Sequence, residues 1–309
     1  MAKKASFKKY IRKLNQSKRE HLLAWTFILP AIAVFIVFMF WPLAYTFYLS
    51  FFKWNMVAPT KKYVGIKNYI SILTDKVTLQ LFSNSLLYIS ILVLLNFVIP
   101  YILSFINTFV MKKKSKSIYK IFIFMPSLIS LVVGAIILQW IFNPISGPIS
   151  AILSFFGITM PSWSKTHGLV IFVISLVATY KAFGYNFLVL LAGVGNVSTE
   201  LIEAARLDKT PNHKIFLKIV RPLTSSSAIY ILIMSIVQGM QYVFTPIKVL
   251  TQGGPDNASS NIIYGGYQEA FGFYDTGRSS ALSIITMVIF LILLFLEFKF
   301  VEKGVYYEN

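Results

Sequence analysis

The run Leu169–Val194, LVIFVISLVATYKAFGYNFLVLLAGV, contains a single ionised side chain, Lys181. A helix that crosses a hydrocarbon core of about 30 Å needs roughly 20 consecutive, mainly apolar residues. In lipid the backbone must satisfy its own hydrogen bonds, and closed β-barrels show alternating rather than continuous apolar patterns. The run therefore predicts a membrane-spanning α-helix.

Five more apolar runs, on both sides of this one, are long enough to span a bilayer. They are Leu22–Phe52, Phe82–Met111, Ile118–Phe142, Ala228–Leu250 and Ala281–Val301. Of the 309 residues, 56% are hydrophobic and only 13% are charged, and the mean hydropathy is +0.69. A soluble domain carries about 25% charged residues. We therefore predict an all-α integral membrane protein with six transmembrane helices, the first of which is too long for a signal-peptide core.

The basic residues are distributed unevenly among the loops. Of the 29 Lys and Arg residues, 20 lie in the four segments 1–20, 112–120, 206–221 and 299–303, and seven lie in the alternate loops. Cytoplasmic loops carry such an excess, so both termini are predicted to be cytoplasmic. The net charge of +18 does not indicate nucleic-acid binding, because the charges cluster between apolar runs.

The chain divides into a basic N-terminal segment, residues 1–20, and one membrane domain, residues 21–309, with a first helix that is either peripheral or part of the bundle. Within the N-terminal segment, four apolar residues at helical spacing predict an amphipathic helix on the inner leaflet, and a disordered basic tail is the alternative. These residues are Phe7, Tyr10, Ile11 and Leu14. The chain has no G-x-x-x-x-G-K-[ST] run, so it is not expected to bind ATP itself.

The predicted cytoplasmic loop Thr199–Leu223, TELIEAARLDKTPNHKIFLKIVRPL, has the pattern of a helical hairpin. A first short helix is expected to end at Asp208-Lys209, with Thr210 as the N-cap and Pro211 as the first residue of a second helix. The second helix carries an apolar stripe made of Ile215, Phe216, Ile219 and Val220. Since a plain connection needs only a few residues, the hairpin is predicted to dock either on a partner or on the chain's own helix ends.

The hairpin resembles the EAA loop of bacterial binding-protein-dependent ABC importer permeases. The matching residues are Glu203, Ala204, Ala205, Asp208, Phe216, Ile219, Pro222 and Leu223. Two positions depart from the family pattern, because Lys209 replaces the usual glycine and Thr210 replaces the usual alanine. Glycine permits a left-handed turn at little cost, so Lys209 is expected either to bear a modest strain or to turn differently.

Other stretches extend this resemblance over nearly the whole chain. They are Phe27–Pro42, Ser50–Trp54, Val64–Tyr69, Leu250–Pro255 (LTQGGP) and Gly277–Ala281. Within the family the chain is similar to the first permease of the glycerol-3-phosphate and oligosaccharide branch. The resemblance implies a multi-pass permease of the bacterial cytoplasmic membrane that imports a sugar-type solute and is not itself an enzyme.

The resemblance also implies a set of partners. A homologous second permease would complete the pathway, two ATPase subunits would bind ATP and Mg²⁺, and an extracytoplasmic binding protein would deliver the solute, while this chain would hold no cofactor or metal. The residues that would couple to the ATPase are Glu203, Ala204, Ala205, Asp208, Lys209, Phe216 and Pro222. The residues that would face the binding protein are Gly253, Gly254, Pro255 and Asn257.

Polar residues inside the spans are candidates for the solute path, because such residues are costly in lipid and usually face a cavity or another helix. The candidates are Gln139, Lys181, Tyr185, Asn186, Gln238, Gln241 and Tyr242, and the further amides Asn84, Asn96 and Asn107 share the same setting. Amides beside aromatic rings suit a sugar, whereas hydrogen bonding between helices is the alternative. Lys181, near the middle of its span, is expected to face the translocation cavity or a partner in the second permease; retention by backbone carbonyls, such as one freed at Gly184, is the alternative.

Other functions fit the sequence less well. The chain has no cysteine, and its three histidines are far apart, so no metal-site spacing is present. Glu297 is the only acid within the predicted spans, which disfavours an intramembrane enzyme and a proton-coupled secondary transporter. A di- or oligosaccharide is the first expectation for the solute, with glycerol-3-phosphate or an acidic saccharide as the alternative.

Overall fold

The computed structural model describes residues 23–301. The predicted amphipathic segment, residues 1–20, lies outside this range. Within it the chain is almost entirely helical, with one short antiparallel hairpin of β1 (Phe52–Lys53) and β2 (Lys62–Tyr63). The helices are α1 Leu23–Leu49, α2 Lys67–Thr74, α3 Lys76–Val110, α4 Lys113–Phe124, α5 Leu131–Ile141, α6 Pro148–Phe155, α7 Leu169–Gly195, α8 Thr199–Leu207, α9 212–223, α10 Ser225–Thr251, α11 262–272 and α12 Thr276–Val301.

Five helices within residues 23–301, namely α1, α3, α7, α10 and α12, are long and apolar enough to cross a membrane. The pair α4 and α5 makes a sixth candidate span if it is counted as one, although the two parts are bent by 103°. The chain is thus an all-α membrane protein with five to six candidate spans.

The prediction of one continuous helix over Ile118–Phe142 is wrong. The α-helix gives way to a tighter turn at Met125–Leu128, which contains Pro126, and the backbone is extended at Ile129 and Ser130. Proline cannot donate the backbone hydrogen bond that a helix interior requires. The side chain of Ser130 then accepts a hydrogen bond from the amide of Val133 at 3.3 Å and starts α5 in a new direction.

The centre of the fold is α7, which packs on α3 and α10 in two apolar clusters. One cluster joins the first half of α7 to Tyr88, Leu92 and Met240, and the other joins the last turns of α7 to Tyr101 and Phe105. By contrast, α1 packs little on the other described residues. Its single buried residue is Leu49, at the end of the helix. The bundle of α3, α7 and α10 is therefore the packed core of the described part of the chain.

Candidate functional site

A cavity of about 340 Å³ opens between α7, α10 and the break that separates α4 from α5. It is lined by Phe124, Ser127, Leu128, Lys181, Ala182, Tyr185, Gln238 and Tyr242. Four predicted solute-path residues, two from α7 and two from α10, therefore meet in one place. The cavity combines an ammonium group, two phenols and an amide, all of which can donate hydrogen bonds.

The backbone carbonyls of the helix break hold Lys181. Its Nζ donates to the carbonyl of Ser127 at 2.7 Å and to that of Ile129 at 3.2 Å. The neighbouring Tyr180 hydroxyl donates to the carbonyl of Ser130 at 2.8 Å. Backbone carbonyls therefore hold the Lys181 ammonium, as the alternative prediction stated, but these carbonyls belong to the helix break and not to the region of Gly184. An ammonium has three N–H donors, so one remains for other partners in the cavity.

Two glycines allow the break to approach α7 closely. A Cβ atom added at Gly184 would lie 2.9 Å from the Cα of Phe124, so no larger residue fits without a backbone shift. A Cβ atom added at Gly134 of α5 would collide with the hydroxyl of Tyr180. These contacts set the position of the freed carbonyls against Lys181.

The other predicted solute-path residues lie elsewhere. Gln139 is exposed on α5, and Gln241 lines a separate, apolar groove between α10 and α12. Asn186 is buried and donates to the carbonyl of Asn96 at 2.9 Å and to Ser235 Oγ at 3.3 Å, which joins α7 to α3 and α10. Asn186 therefore bonds neighbouring helices to one another, which was the alternative to a place in the solute path.

Tyr230 was not among the predicted solute-path residues, but it lies beside one of them, Tyr185. Its hydroxyl lies 3.2 Å from that of Tyr185, and both rings are exposed. Tyr230 lies twelve residues before Tyr242 on α10, which is about 120° around the helix. It extends the polar surface of the cavity along α7 and α10.

The predicted hairpin is present, and its turn has the geometry of a Schellman motif. The amide of Lys209 bonds to the carbonyl of Arg206 at 2.9 Å, and the amide of Thr210 bonds to that of Ala205 at 3.0 Å. Lys209 has a φ of +54°, so it adopts the left-handed conformation that glycine tolerates best. The N-cap prediction for Thr210 is wrong, because Pro211 occupies that position and the helix begins at Asn212.

The apolar stripe of the hairpin packs on the chain's own helices. Ile215 and Val220 are fully buried, and the ring of Phe216 contacts those of Tyr101 and Phe105 with centroids 5.0 Å and 5.4 Å away. Arg206 Nη2 also donates to the carbonyl of α3 residue Phe109 at 2.6 Å. Phe216 is therefore a contact between hairpin and bundle, not an exposed docking residue.

The opposite face of the hairpin is exposed within the part of the chain that the structure describes. Glu203, Ala204, Asp208 and Lys209 are exposed there, and Leu207 is 84% exposed at the tip. A leucine this exposed, beside a small alanine and a carboxylate, forms a surface that a partner can cover. The predicted coupling residues thus divide into an exposed set and a set that attaches the hairpin to the bundle.

Replacement of Lys209 by glycine is expected to leave assembly intact and to change the free energy of unfolding by no more than about 1 kcal/mol. Relief of left-handed strain and the greater freedom of the unfolded chain oppose each other at this magnitude. The control Lys209→Val places a β-branched residue at positive φ and is expected to be clearly destabilising. Thermal melting of the purified complex measures both; a glycine variant that fails to assemble would show that the lysine side chain makes an essential contact.

The loop between α10 and α11 is held by side chains from the first turns of α3. Asn84 Nδ2 donates to the carbonyls of Asn257, Ala258 and Ser260 at 2.9–3.2 Å, and the Tyr88 hydroxyl donates to Ser259 at 2.8 Å. Asn84 is thus an anchor for this loop and not a solute-path residue. Of the predicted binding-protein-facing residues, Gly253 is buried and Gly254, Pro255 and Asn257 are half-buried, whereas Gln252 and Asp256 are exposed.

An ion cluster fixes the ends of α3, α11 and α12 beside this loop. Arg278 bonds to Asp75 at 2.5 Å and to Glu269 at 2.8 Å. Burial raises the pKa of Glu269, although Arg278 opposes the shift. Burial acts in the same direction on Asp75, but hydrogen bonds from Thr78 and Val77 and the charge of Arg278 outweigh it and lower the pKa of that carboxyl.

Comparison with known proteins identifies the family of this chain. The family described as "Binding-protein-dependent transport system inner membrane component" matches residues 97–303. The chain is 28% identical over 286 residues to the sn-glycerol-3-phosphate transport system permease protein UgpA of Yersinia enterocolitica, covering 93% of this chain and 96% of that protein. It is also 28% identical over 293 residues to the probable ABC transporter permease protein YurN of Bacillus subtilis, covering 94% and 99%.

A solved structure has the same fold. It is a chain of a bacterial ABC transporter involved in the import of the acidic polysaccharide alginate, with a TM-score of 0.80 and 18% identity over 94% of this chain and 99% of that one. In transporters of the matched family ATP is bound by a separate ATPase subunit. The chain therefore belongs to the binding-protein-dependent transport system inner membrane component family and is a non-catalytic, multi-pass permease subunit of an importer.

Proposed function

We propose that this permease forms half of a translocation pathway, which a homologous second permease completes. Its six spans have both termini in the cytoplasm, two ATPase subunits bind beneath it, and an extracytoplasmic binding protein delivers the solute. The observation that carries the proposal is the convergence of Lys181, Tyr185, Gln238 and Tyr242 in one open cavity between α7, α10 and the helix break.

The positions of the hairpin and of the outer loop support this arrangement. The hairpin precedes α10, and the loop of residues 252–261 follows it. With 27 residues, α10 is about 40 Å long, which is more than the hydrocarbon thickness. The two surfaces proposed for the ATPase and for the binding protein therefore lie on opposite sides of the membrane.

The hairpin is suited to transmit motion to the cavity. It follows α7 directly and leads directly into α10, and Arg206 and Phe216 attach it to α3. When ATP binding draws the two ATPase subunits together, a hairpin seated in one of them moves with it. The three helices that receive this motion include the two that line the cavity, which gives alternating access.

The solute is a polyhydroxylated molecule such as a sugar or oligosaccharide. Phenol and amide groups can bond its hydroxyls, and its C–H faces can lie on aromatic rings. Lys181 favours an anionic member of this class, such as glycerol-3-phosphate or an acidic saccharide, because the cavity pairs no carboxylate with it among the described lining residues. The names of two similar proteins also refer to anionic solutes: glycerol-3-phosphate for the Yersinia relative and the acidic polysaccharide alginate for the solved transporter.

Co-purification and reconstitution test this function. We expect the chain to co-purify with an ATPase subunit, and binding protein loaded with solute to stimulate ATP hydrolysis and uptake in proteoliposomes. Uptake that needs no ATPase and that stops when a protonophore is added would instead support a proton-coupled transporter. Comparison of a neutral sugar with a sugar acid of the same size tests the preference for an anion.

Cysteine labelling tests the topology. The chain contains no cysteine, so Asp256→Cys in the outer loop and Lys214→Cys in the hairpin each create a single exposed thiol. A membrane-impermeant maleimide is expected to label Asp256→Cys on intact spheroplasts, whereas Lys214→Cys reacts only after lysis. The reverse pattern would overturn the proposed orientation.

A further inference from the structure

A second groove among the described residues is larger than the solute cavity. It has a volume of about 680 Å³ and lies between α3, α9 and α10. The groove and the solute cavity share no lining residue, so they are separate openings.

The groove changes from polar to apolar along α10. At the junction of α9 and α10 it is lined by Arg221 and Ser225. One and two turns further along, Ile229 and Leu232 line it, and Phe97 and Ile102 of α3 complete its apolar wall. This gradient matches a molecule with a polar head and a hydrocarbon chain.

Two groups at the polar end lack partners within the described part of the chain. Arg221 is exposed and makes no salt bridge or side-chain hydrogen bond there. The Ser225 Oγ atom is buried and has no hydrogen-bond partner. Within the described residues the guanidinium is therefore available to an anionic group at this end of the groove, with Ser225 beside it.

The charge around the groove selects the ligand. Lys214, Lys218 and Arg221 lie at i, i+4 and i+7 on α9, and all three are exposed. Basic pockets between helices at the cytoplasmic surface attract the head groups of anionic lipids. The N-terminal segment of this chain is an unsuitable occupant, because its eight Lys and Arg residues have the same sign as Arg221.

We propose that this groove binds an anionic phospholipid of the inner leaflet. Arg221 binds the phosphate at the polar end, beside Ser225, and one acyl chain lies along Ile102, Ile229 and Leu232. The proposal rests on the cytoplasmic location of the hairpin given under the proposed function. The labelling experiment tests that location separately, so failure of the lipid site leaves the transport assignment untouched.

Native mass spectrometry of the whole transport complex tests the lipid site. The complex is released from nanodiscs that contain phosphatidylglycerol in phosphatidylcholine, and the retained phosphatidylglycerol is counted. We expect Arg221→Gln to weaken retention about fivefold, which corresponds to about 1 kcal/mol for one basic residue at the surface. Leu232→Trp, which fills the apolar end, is expected to weaken it similarly, while the matched control Lys112→Gln, at an exposed basic residue that does not line the groove, changes it less than twofold.

Three outcomes would overturn the proposal. The first is equal retention in the wild type, Arg221→Gln and Leu232→Trp. The second is displacement of the lipid by millimolar inorganic phosphate, which would indicate a site for free phosphate. The third comes from a photo-crosslinker, Ile229→p-benzoyl-L-phenylalanine, in the otherwise unchanged complex. A lipid adduct supports the proposal, even if Arg221→Gln fails to assemble, and a polypeptide adduct would show that a protein covers the groove.

Discussion

Replacement of Glu203 by lysine is expected to lower solute-stimulated ATP hydrolysis and uptake at least tenfold while membrane insertion remains normal. Glu203 lies on the exposed face of α8, beside Ala204 and near the exposed Leu207. If this face is seated in an ATPase cleft, the reversed charge is desolvated opposite a surface that complements a carboxylate. Such juxtapositions cost several kcal/mol, and each 1.4 kcal/mol is about tenfold in an equilibrium constant.

Two controls separate the docking role from effects on the hairpin itself. Glu200→Lys makes the same reversal one turn earlier on the same side of α8 and, because it lies further from Leu207 at the tip, is expected to lower coupled hydrolysis less than Glu203→Lys does. Glu203→Gln removes the charge without reversing it and is expected to be intermediate. Hydrolysis is measured in proteoliposomes, and complex assembly by co-purification. Unchanged assembly together with unchanged coupled hydrolysis in Glu203→Lys would show that this face does not dock.

Replacement of Lys181 by methionine is expected to reduce uptake at least tenfold, with normal expression and insertion. The change removes the cation from the cavity and leaves the carbonyls of Ser127 and Ile129 without their donor. Each unsatisfied carbonyl in the membrane costs on the order of 1–3 kcal/mol. Both the position of the helix break and the affinity for an anionic solute are therefore affected.

A second variant separates these two effects. Lys181→Gln keeps N–H donors for the carbonyls but has no charge, so it is expected to retain uptake of neutral solutes and to lose affinity for anionic ones. Tyr180→Phe, the matched control, removes the bond to Ser130 and leaves the charge, so a stability loss of about 1 kcal/mol with intact solute preference is expected. Normal uptake and normal affinity in Lys181→Met would mean that Lys181 neither contacts solute nor positions the break.

The sequence predicted the spans well but not the break between α4 and α5. Long apolar runs indicate spanning helices wherever they occur, because lipid offers no partner to an open backbone. Pro126 allows a kink, but a bend of 103° also depends on donors from Tyr180 and Lys181, more than fifty residues away in sequence. Contacts of that kind are not visible in the local pattern of Ile118–Phe142.

The candidate cavity could be predicted only in part for a related reason. A helix such as α7, which is apolar on every side, gives no periodic signal of which face meets a cavity. Lys181 and Tyr185 therefore lie in the cavity, but Asn186, one position further along, turns into the core beside Asn96. The fold of the hairpin was easier to predict, since its two helices and its turn are encoded locally; the exception was the N-cap, which Pro211 takes in place of Thr210.

A single helix, α3, contacts both surfaces of the proposed transporter. Its first turns hold the outer loop through Asn84 and Tyr88, and its last turn accepts the hydrogen bond from Arg206 in the hairpin. With 35 residues it is about 52 Å long and makes both contacts without an intervening loop. Thermodynamic linkage is reciprocal: if arrival of the binding protein tightens nucleotide binding by some factor, then nucleotide must tighten capture of the binding protein by the same factor, with α3 as a continuous mechanical connection between the two events.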